Sequence, residues 1–177
     1  MIQTADVHLR RFEPRDVEQL YAFRNDADIV AALSGFSCGY SRADLLDWIA
    51  WHREQKDEQL WAICDDADDR CIGQVGLYRI DQRARRAEFG IIIGDPAWQG
   101  RGLGPAVSRA VFAFAFDQLN LNRISAEIAA TNQRSLDSYL KLGMRQEGLF
   151  RQHDYRDGCY IDVIPMAILA EDWRNNG

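Results

Sequence analysis

The sequence predicts a mixed α+β domain, with a mostly antiparallel sheet of about seven strands and flanking helices. Two pairs of strand patterns, at 60–80 and 145–168, turn tightly enough to form hairpins. Between them, an apolar strand pattern runs into a glycine-rich turn, a long apolar helix and a further strand, which is the pattern of a βαβ crossover. Hairpins around one crossover therefore predict a single mixed sheet covered by helices.

Length and composition indicate one globular domain that spans residues 1–177. The chain is 47% hydrophobic and 27% charged, and no apolar run approaches the ~18 residues that a membrane span needs. The N-terminal segment has no basic region followed by an apolar one, which argues against an export signal. We therefore expect a soluble, cytoplasmic protein with no membrane partner.

Charge and cysteine placement argue against two kinds of site. The formal net charge is −6 and the Lys and Arg residues are dispersed, so no nucleic-acid-binding surface is predicted. The four cysteines are scattered without a C-x-x-C pair or a nearby histidine pattern, so we expect reduced, mostly structural thiols and no metal site. The acidic balance leaves room for a cationic substrate.

The first half of the chain alternates strand and helix patterns. Pro14 suits a first helical turn, and Val17 and Leu20 follow at helical spacing. Ser41 and Asp44 resemble a capping box at the start of the next helix. The predicted elements are, in order, a strand at 7–12, a helix from 14, a loop at 31–40, a helix from 41, and strands at 60–64 and 71–80.

The second half centres on an apolar strand pattern at 87–93, whose one charged residue is Glu88. After the glycine-rich turn, Val107 and Val111 lie on a long apolar helix that is predicted to end near Asn120. The remaining predicted elements are a strand at 123–129, a helix at 132–142 closed by Gly143, and a hairpin of strands at 145–155 and 159–168.

Three glycines, at 100, 102 and 104, lie between the central strand and the long helix. Glycines let a ligand approach the backbone, and the N–H groups at a helix N-terminus bind anions, most often phosphate. A Cβ at 102 or 104 is expected to crowd both the ligand and the turn. The spacing excludes two nucleotide loops, because Pro105 stands where a dinucleotide fingerprint needs its third glycine and no P-loop lysine follows.

Two other patterns are left without a catalytic role. Residues 35–39 read G-x-S-x-G, but they lie between two helices and not at the strand-to-helix corner of a nucleophile elbow. His153 and Asp154 are adjacent on a predicted strand, so they point to opposite faces and cannot form a relay with each other. The sequence therefore predicts no covalent nucleophile.

The segment Gln99–Gly104 matches the Q-x-x-G-x-G form of an acyl-CoA pyrophosphate loop, and with it the chain resembles the GNAT superfamily of N-acetyltransferases. The match includes the strand RRAEFGIIIGD, Asn132 with Ser135, and YLKLGM at 139–144, and it covers most of residues 72–169. The chain is similar to the ribosomal-protein N-terminal acetyltransferase branch and, through RRAEF, to bacterial spermidine N-acetyltransferases. The resemblance implies a GNAT-like fold with acetyl-CoA as co-substrate and no metal.

The resemblance also implies which residues bind acetyl-CoA. The backbone amides of 99–104 would surround the pyrophosphate. Arg101 would either make a charged contact with the phosphates or stay solvated. The backbone of 91–93 would pair with pantetheine and polarise the thioester oxygen, and Asn132 would contact the same arm, cap a helix, or do both. The full predicted set is Ile91, Ile92, Ile93, Gln99, Gly100, Arg101, Gly102, Leu103, Gly104, Asn132 and Ser135.

Glu88 and Tyr139 are the predicted catalytic residues. An alkylamine with a pKa of ~10 is almost wholly protonated at neutral pH, so transfer needs a base. Partial burial on an apolar strand would raise the pKa of Glu88 towards that role, while an anchor for the substrate cation or a partner for Arg86 are its alternatives. Tyr139 matches the family tyrosine that protonates the departing CoA thiolate, and a core aromatic is its alternative.

The predicted function is direct transfer of an acetyl group from acetyl-CoA to a primary amine, either a protein N-terminus or a small molecule. Spermidine or another polyamine, or an amino sugar, is the alternative acceptor, and a non-catalytic acyl-CoA-binding sensor is the alternative of another class. Spermidine acetyltransferases carry acidic residues between their first two helices, whereas 33–40 here are uncharged. The acceptor therefore stays open, and a homodimer or higher homo-oligomer is compatible with the sequence.

Overall fold

The computed structural model describes residues 2–4, 6–32, 39–156 and 158–175. Its strands are β1 (Ile2–Gln3), β2 (Val7–Arg10), β3 (Gln59–Asp65), β4 (Cys71–Asp81), β5 (Arg86–Ile93), β6 (Arg123–Ala129), β7 (Arg145–Gln146), β8 (Phe150–Arg156) and β9 (Cys159–Leu169). Its helices are α1 (Val17–Arg24), α2 (Ala27–Ala32), α3 (Arg42–Glu54), α4 (Leu103–Ala113), α5 (Gln133–Lys141) and α6 (Ala170–Asn175). A π-helical turn, Phe114–Gln118, extends α4.

Within these residues nine strands form one sheet, in the order β1-β2-β3-β4-β5-β6-β9-β7, and β8 also pairs with β9. Only β5 and β6 are parallel; the other paired strands run antiparallel. Parallel neighbours need a long crossover, and α4 supplies it here. The predicted mixed α+β class and its central βαβ unit are confirmed.

Different helices cover the two faces of the sheet. Side chains alternate between faces along a strand, so neighbouring residues of β3 belong to different cores. Ile63 packs in one core with Val107 of α4, whereas Cys64 packs in another with Phe23 of α1. The α4 core is the larger, and burial of each of its larger apolar side chains stabilises the fold by about 1.5–3 kcal/mol.

The structure also contains elements that the sequence pattern did not predict. β1, α2 and α6 have two, six and six residues, too few for a periodic pattern to identify them. The predicted loop at 31–40 is wrong at its start, because α2 continues to Ala32. Residues 33–38, which hold most of the G-x-S-x-G pattern, lie outside the described residues. No helix among those described is long and apolar enough to cross a bilayer.

The predicted strand at 145–155 is divided into β7 and β8. Gly148 lies in the interruption, where a residue without a side chain weakens a strand. β7 lies beside the C-terminal part of β9 and β8 beside its N-terminal part. The interruption therefore separates two short partners of one long strand.

The parallel pairing of β5 with β6 is short, and this opens the sheet. The paired residues are Arg86 with Arg123, Ala87 with Ile124, and Glu88 with Ser125. β5 continues to Ile93 while pairing only with β4 on its other edge. Beyond Glu88 the two strands no longer pair, and the edge of β5 that faces β6 has no strand partner among the described residues.

Candidate active site

The glycine turn gives α4 an N-terminus lined by backbone. Gly100 and Gly102 have φ angles of +76° and +78°, in a region that L side chains rarely adopt. The hydrogen bond from Ala106 N to Gly102 O, 3.3 Å, is the first of the helix, so the N–H groups of Leu103 and Gly104 precede it. Such donors at the positive end of a helix dipole suit a phosphate.

The three glycines are needed for different reasons. A Cβ on Gly100, Gly102 or Gly104 would meet no atom within 4 Å, so the expectation that a side chain would crowd the turn is wrong. Backbone conformation explains the first two, whereas Gly104 borders open space without a positive φ. A side chain there would project into this open space.

A cavity of about 380 Å³ runs from the glycine turn along the end of β5 to α5. Its wall contains ten of the eleven residues predicted to bind acetyl-CoA, together with Tyr139. These ten are Ile91, Ile92, Ile93, Gln99, Gly100, Gly102, Leu103, Gly104, Asn132 and Ser135. Arg101 is not in the wall; its guanidinium lies 5.6 Å from the Trp98 ring centroid.

Two amide side chains fix the ends of this cavity. Gln99 Nε2 donates to the carbonyl of Ile93, 2.9 Å away, and so ties the glycine turn to the end of β5. Asn132 Oδ1 accepts from Ser135 N at 3.1 Å, which confirms it as the N-cap of α5. Asn132 Nδ2 has no protein partner among the described residues, so the same side chain can also donate to a ligand.

Six further wall residues were not predicted: Ile29, Trp98, Pro105, Ser108, Arg134 and Ser138. Arg134 is a cation in the first turn of α5 and is exposed. Its position two residues after Asn132 was the signal that could have identified it. Ile29 gave no such signal, because α2 was not predicted.

Tyr139 stands between two cavities. It lines the large cavity and also one of about 220 Å³ between β5 and β6, where Gln74, Tyr78 and Glu127 contribute to the wall. Its side chain is 7% exposed, and its ring meets Phe89 edge-on at 6.0 Å between centroids. Burial raises the pKa of Tyr139, so its hydroxyl remains protonated at neutral pH.

Glu88 lies at the end of the parallel pairing, on the face of the sheet opposite α4. Its side chain is 39% exposed, and Oε1 accepts from Arg79 Nη1 at 2.9 Å. The alternative that Glu88 pairs with an arginine is realised by Arg79 and not by Arg86, because Tyr78 pairs with Glu88 across the ladder and brings the adjacent Arg79 within reach.

The surroundings of Glu88 are acidic. A cavity of about 310 Å³ is lined by Glu88, Glu127 and Glu147. Arg123 Nη1 donates to Glu147 Oε1 at 2.7 Å, and this arginine holds the pKa of Glu147 below its usual value. Glu127 lines both this cavity and the smaller one beside Tyr139, so the two cavities share a wall. Arginines pair with Glu88 and Glu147, so Glu127 is the carboxylate of this cavity that has no arginine partner among the described residues and can attract a cationic amine.

His153 and Asp154 diverge, as predicted. His153 Nε2 lies 3.9 Å from Glu127 Oε2, whereas Asp154 Oδ2 accepts from Arg156 Nη2 at 3.0 Å. His153 therefore lies beside the carboxylates near Glu88, whereas Asp154 forms an ion pair within its own strand.

One group of potential metal ligands lies elsewhere. Ligand atoms of His8, Cys64 and Asp69 lie within 4.8 Å of one another, although the sequence showed no histidine near a cysteine. They meet because β2 pairs with β3 and the turn after β3 folds back. Arg10 Nε donates to Asp69 Oδ1 at 2.7 Å, and burial raises the pKa of Cys64. With a cation already on the carboxylate and a protonated thiol, the group is an ion-pair network.

Known proteins resemble this chain in sequence and in fold. Residues 6–145 match the model of an acetyltransferase (GNAT) domain. Spermidine N(1)-acetyltransferase of Escherichia coli K12 is 28% identical over 168 residues, which cover 94% of this chain and 88% of that protein. A putative ribosomal N-acetyltransferase of Bacillus subtilis is 30% identical over 106 residues, covering 60% of this chain and 57% of that protein.

A solved structure extends the likeness to the whole fold. Spermidine N-acetyltransferase of Vibrio cholerae, in complex with CoA and spermine, superposes with a TM-score of 0.88 at 28% identity. The superposition covers 96% of this chain and 99% of that chain.

Proposed function

The chain belongs to the acetyltransferase (GNAT) domain family, and from this premise we propose which of its residues bind the co-substrate and which transfer the acetyl group. The protein is an N-acetyltransferase that uses acetyl-CoA. One observation carries the assignment of residues: Tyr139 lines both the cavity at the glycine turn and the cavity between β5 and β6. It stands between a thioester delivered from one side and an amine delivered from the other.

Acetyl-CoA binds in the large cavity. The N–H groups of Leu103 and Gly104 receive the pyrophosphate, and Arg134 adds a cation, as Arg101 does from the outer side of the turn. The inner edge of β5 at 91–93 pairs with the pantetheine amides as an added short strand. A backbone N–H on that edge polarises the thioester oxygen where negative charge develops.

Transfer is direct. Glu88 takes one proton from the ammonium of the acceptor through water and passes it to solvent. The free amine nitrogen bonds to the acetyl carbon, the carbon–sulfur bond breaks, and Tyr139 donates its proton to the departing sulfur. The second amine proton, lost as the amide forms, restores the Tyr139 hydroxyl. No acyl-enzyme forms in this sequence of steps.

The acceptor is an amine that arrives as a cation. Glu88 and Glu127 supply the attracting charge. Glu127 lines both the cavity beside Glu88 and the cavity between β5 and β6 that Tyr139 also lines. The Vibrio cholerae relative binds spermine, which supports a cationic amine as the general class. Polyamines, protein N-termini and amino sugars are the candidates to compare.

The test is release of free thiol from acetyl-CoA in the presence of polyamines, N-terminal peptides and amino sugars. We expect turnover with at least one of these classes and acetylated amine in equal amount. CoA binding without thiol release on any amine would contradict transfer and favour a sensor. Size-exclusion chromatography with light scattering, cell fractionation and limited proteolysis address three further predictions: a homo-oligomer, a cytoplasmic location and one domain over 1–177.

A further inference from the structure

Arg24, the last residue of α1, is a partly buried cation. Its Nη2 donates to Gln74 Oε1 on β4 at 2.9 Å, and its other polar neighbours are Tyr40 and Tyr78. No Asp or Glu among the described residues forms an ion pair with it. Asp26 and Asp28 follow it in the sequence, but Asp26 Oδ1 accepts from Ile29 N at 3.0 Å, and residues 29–43 contain no Asp or Glu.

Aromatic rings fix the position of this guanidinium. Its Cζ lies 4.6 Å from the centroid of Trp48 and 5.9 Å from that of Tyr40. Asn25 holds Tyr40 in place, accepting from its N–H at 2.8 Å and donating to its carbonyl at 3.1 Å. Stacking engages the face of a guanidinium, while its five N–H donors lie in the plane and stay directed at other groups.

The unused donors of Arg24 are accessible. No fully buried side-chain nitrogen or oxygen of the described residues lacks a hydrogen-bond partner, so any Arg24 nitrogen without one is reached by solvent. Burial also lowers the pKa of Arg24, which means that its charge is held at a cost. An anion that reached it would offset that cost.

Arg24 adjoins the wall of the cavity in which transfer takes place. Gln74, which accepts its hydrogen bond, and Tyr78 both line the cavity between β5 and β6 together with Tyr139. The Arg24 guanidinium therefore lies one side chain away from that cavity.

A pair of glycines covered by the Tyr78 ring lies between this cation and the acidic end of the site. Gln74 pairs with Ile92 and Tyr78 pairs with Glu88, so the two ends are four residues, or ~13 Å, apart along the strands. Gly76 and Gly90 form the pair between them. The Tyr78 ring fills the room above Gly76, where a Cβ would come within 2.7 Å of Tyr78 Cζ.

We propose that Arg24, with Gln74 and Tyr78, binds a carboxylate on the acceptor, so that the acceptor is an amine which also carries a carboxylate, as an amino acid does. The inference rests on the proposed function and specifies its substrate class. A carboxylate can accept two parallel hydrogen bonds from the guanidinium while the amine end faces Glu88 and Glu127. A polyamine would instead bring a second cation to Arg24 and lose affinity through repulsion.

The test uses bisubstrate analogues, which report binding without turnover. In each analogue, the CoA sulfur is bonded to the methyl carbon of an N-acetyl group. The nitrogen of that group carries a chain of one to four methylenes, and the chain ends in a carboxylate, a carboxamide or an ammonium group. Isothermal titration calorimetry gives the affinity of each analogue and of CoA itself. The methylene series finds the spacing between the amine and Arg24 without assuming it.

At the best spacing we expect the carboxylate analogue to bind about 10- to 100-fold more tightly than its carboxamide, the usual effect of charge-assisted hydrogen bonds. Arg24→Gln should bring this ratio close to one and leave the affinity for CoA unchanged. The control is Arg42→Gln, since Arg42 also stacks on an aromatic ring, with Cζ 4.3 Å from the Tyr21 centroid, but pairs with Glu18. In Arg42→Gln, the ratio of the affinities for the carboxylate and carboxamide analogues should match that of the wild type.

If CoA binds, any of three results would overturn the inference and leave the proposed function standing. The first is equal affinity of the wild type for the carboxylate and carboxamide analogues, and the second is tighter binding of the ammonium analogue than of the carboxylate analogue. The third result is an unchanged ratio of carboxylate to carboxamide affinity in Arg24→Gln. The wild-type comparison is decisive even if Arg24→Gln does not fold. Failure of CoA and of every analogue to bind would contradict the proposed function itself, and this inference with it.

Discussion

Glu88 of β5 and Ser125 of β6 are the last residues at which the two parallel strands pair, and every predicted acetyl-CoA contact follows Glu88 in the chain. Up to this pair the ladder satisfies the facing backbone groups of both strands. Past it, the inner edge of β5 keeps N–H and C=O groups without a strand partner, and such groups seek hydrogen bonds elsewhere. The end of the ladder thus creates the edge to which we assign pantetheine.

Gly102→Asp is expected to lower the affinity for acetyl-CoA by ~100-fold or more, about 2.7 kcal/mol. Asp tolerates a positive φ better than most residues, and its carboxylate would enter the open space assigned to the pyrophosphate. Gly158→Asp is the matched control, because Gly158 has a φ of +81° and open space but lies in the β8–β9 hairpin. Calorimetry measures both variants, and wild-type affinity in Gly102→Asp would remove the glycine turn from the site.

Tyr139→Phe is expected to lower kcat by ~100-fold or more, the usual contribution of a general acid, with little change in acetyl-CoA binding. The ring and its contact with Phe89 remain, so only the hydroxyl is lost. Tyr160→Phe, at a residue that is 66% exposed on β9, should leave kcat unchanged. Thiol release measures both variants, and full turnover in Tyr139→Phe would exclude the residue from the mechanism.

The pH profile of the wild type tests the state of Tyr139 separately. Burial raises its pKa above the ordinary tyrosine value, so the proton-bearing form persists from neutral pH to at least ~10. From neutral pH to pH ~10, the activity of the wild type should therefore not fall unless the activity of Tyr139→Phe falls in the same way. A fall confined to the wild type in that range would contradict the assigned protonation.

Glu88→Gln separates a base from an anchor. If Glu88 accepts the amine proton, kcat falls by ~100-fold and recovers at high pH, where the amine is already neutral. If it only holds the cation, KM for the amine rises and kcat stays near the wild-type value. Initial rates across pH distinguish the two, with Glu18→Gln as the control because Glu18 also pairs with an arginine, away from these cavities.

Asp69→Asn is expected to reduce stability at neutral pH on the order of 1 kcal/mol, a modest value because the side chain is 35% exposed. Hydrogen bonds from Arg10 and His8 lower the pKa of Asp69 to about 2. The stabilisation is therefore present above the ordinary Asp value and is lost as the pH falls towards 2.

Urea unfolding at neutral pH and at pH ~3 checks this dependence. The difference between wild type and Asp69→Asn should shrink in acid. Asp68→Asn, in the same turn and 60% exposed, should have little effect at either pH. A difference that does not change with pH would remove Asp69 as the source of the acid sensitivity.

Local patterns in the sequence predicted the parts of the site that are contiguous in the chain. The apolar strand, the glycine turn and the helix that follows are set by residue period and by backbone freedom at Gly100 and Gly102, which neighbours in the chain determine. The N-cap at Asn132 is equally local. Ten of the residues predicted from these features and from the family resemblance line one cavity.

Only the tertiary structure decided which side chains from distant segments meet. Glu88 pairs with Arg79 and not Arg86 because strand register, and not proximity in sequence, brings a partner across a ladder. Arg24 and Gln74 are 50 residues apart and meet only because α1 packs against β4. The sequence by itself thus determined the fold class and the glycine-rich turn, whereas the surroundings of Glu88 and Arg24 depend on packing between elements, which no local period encodes.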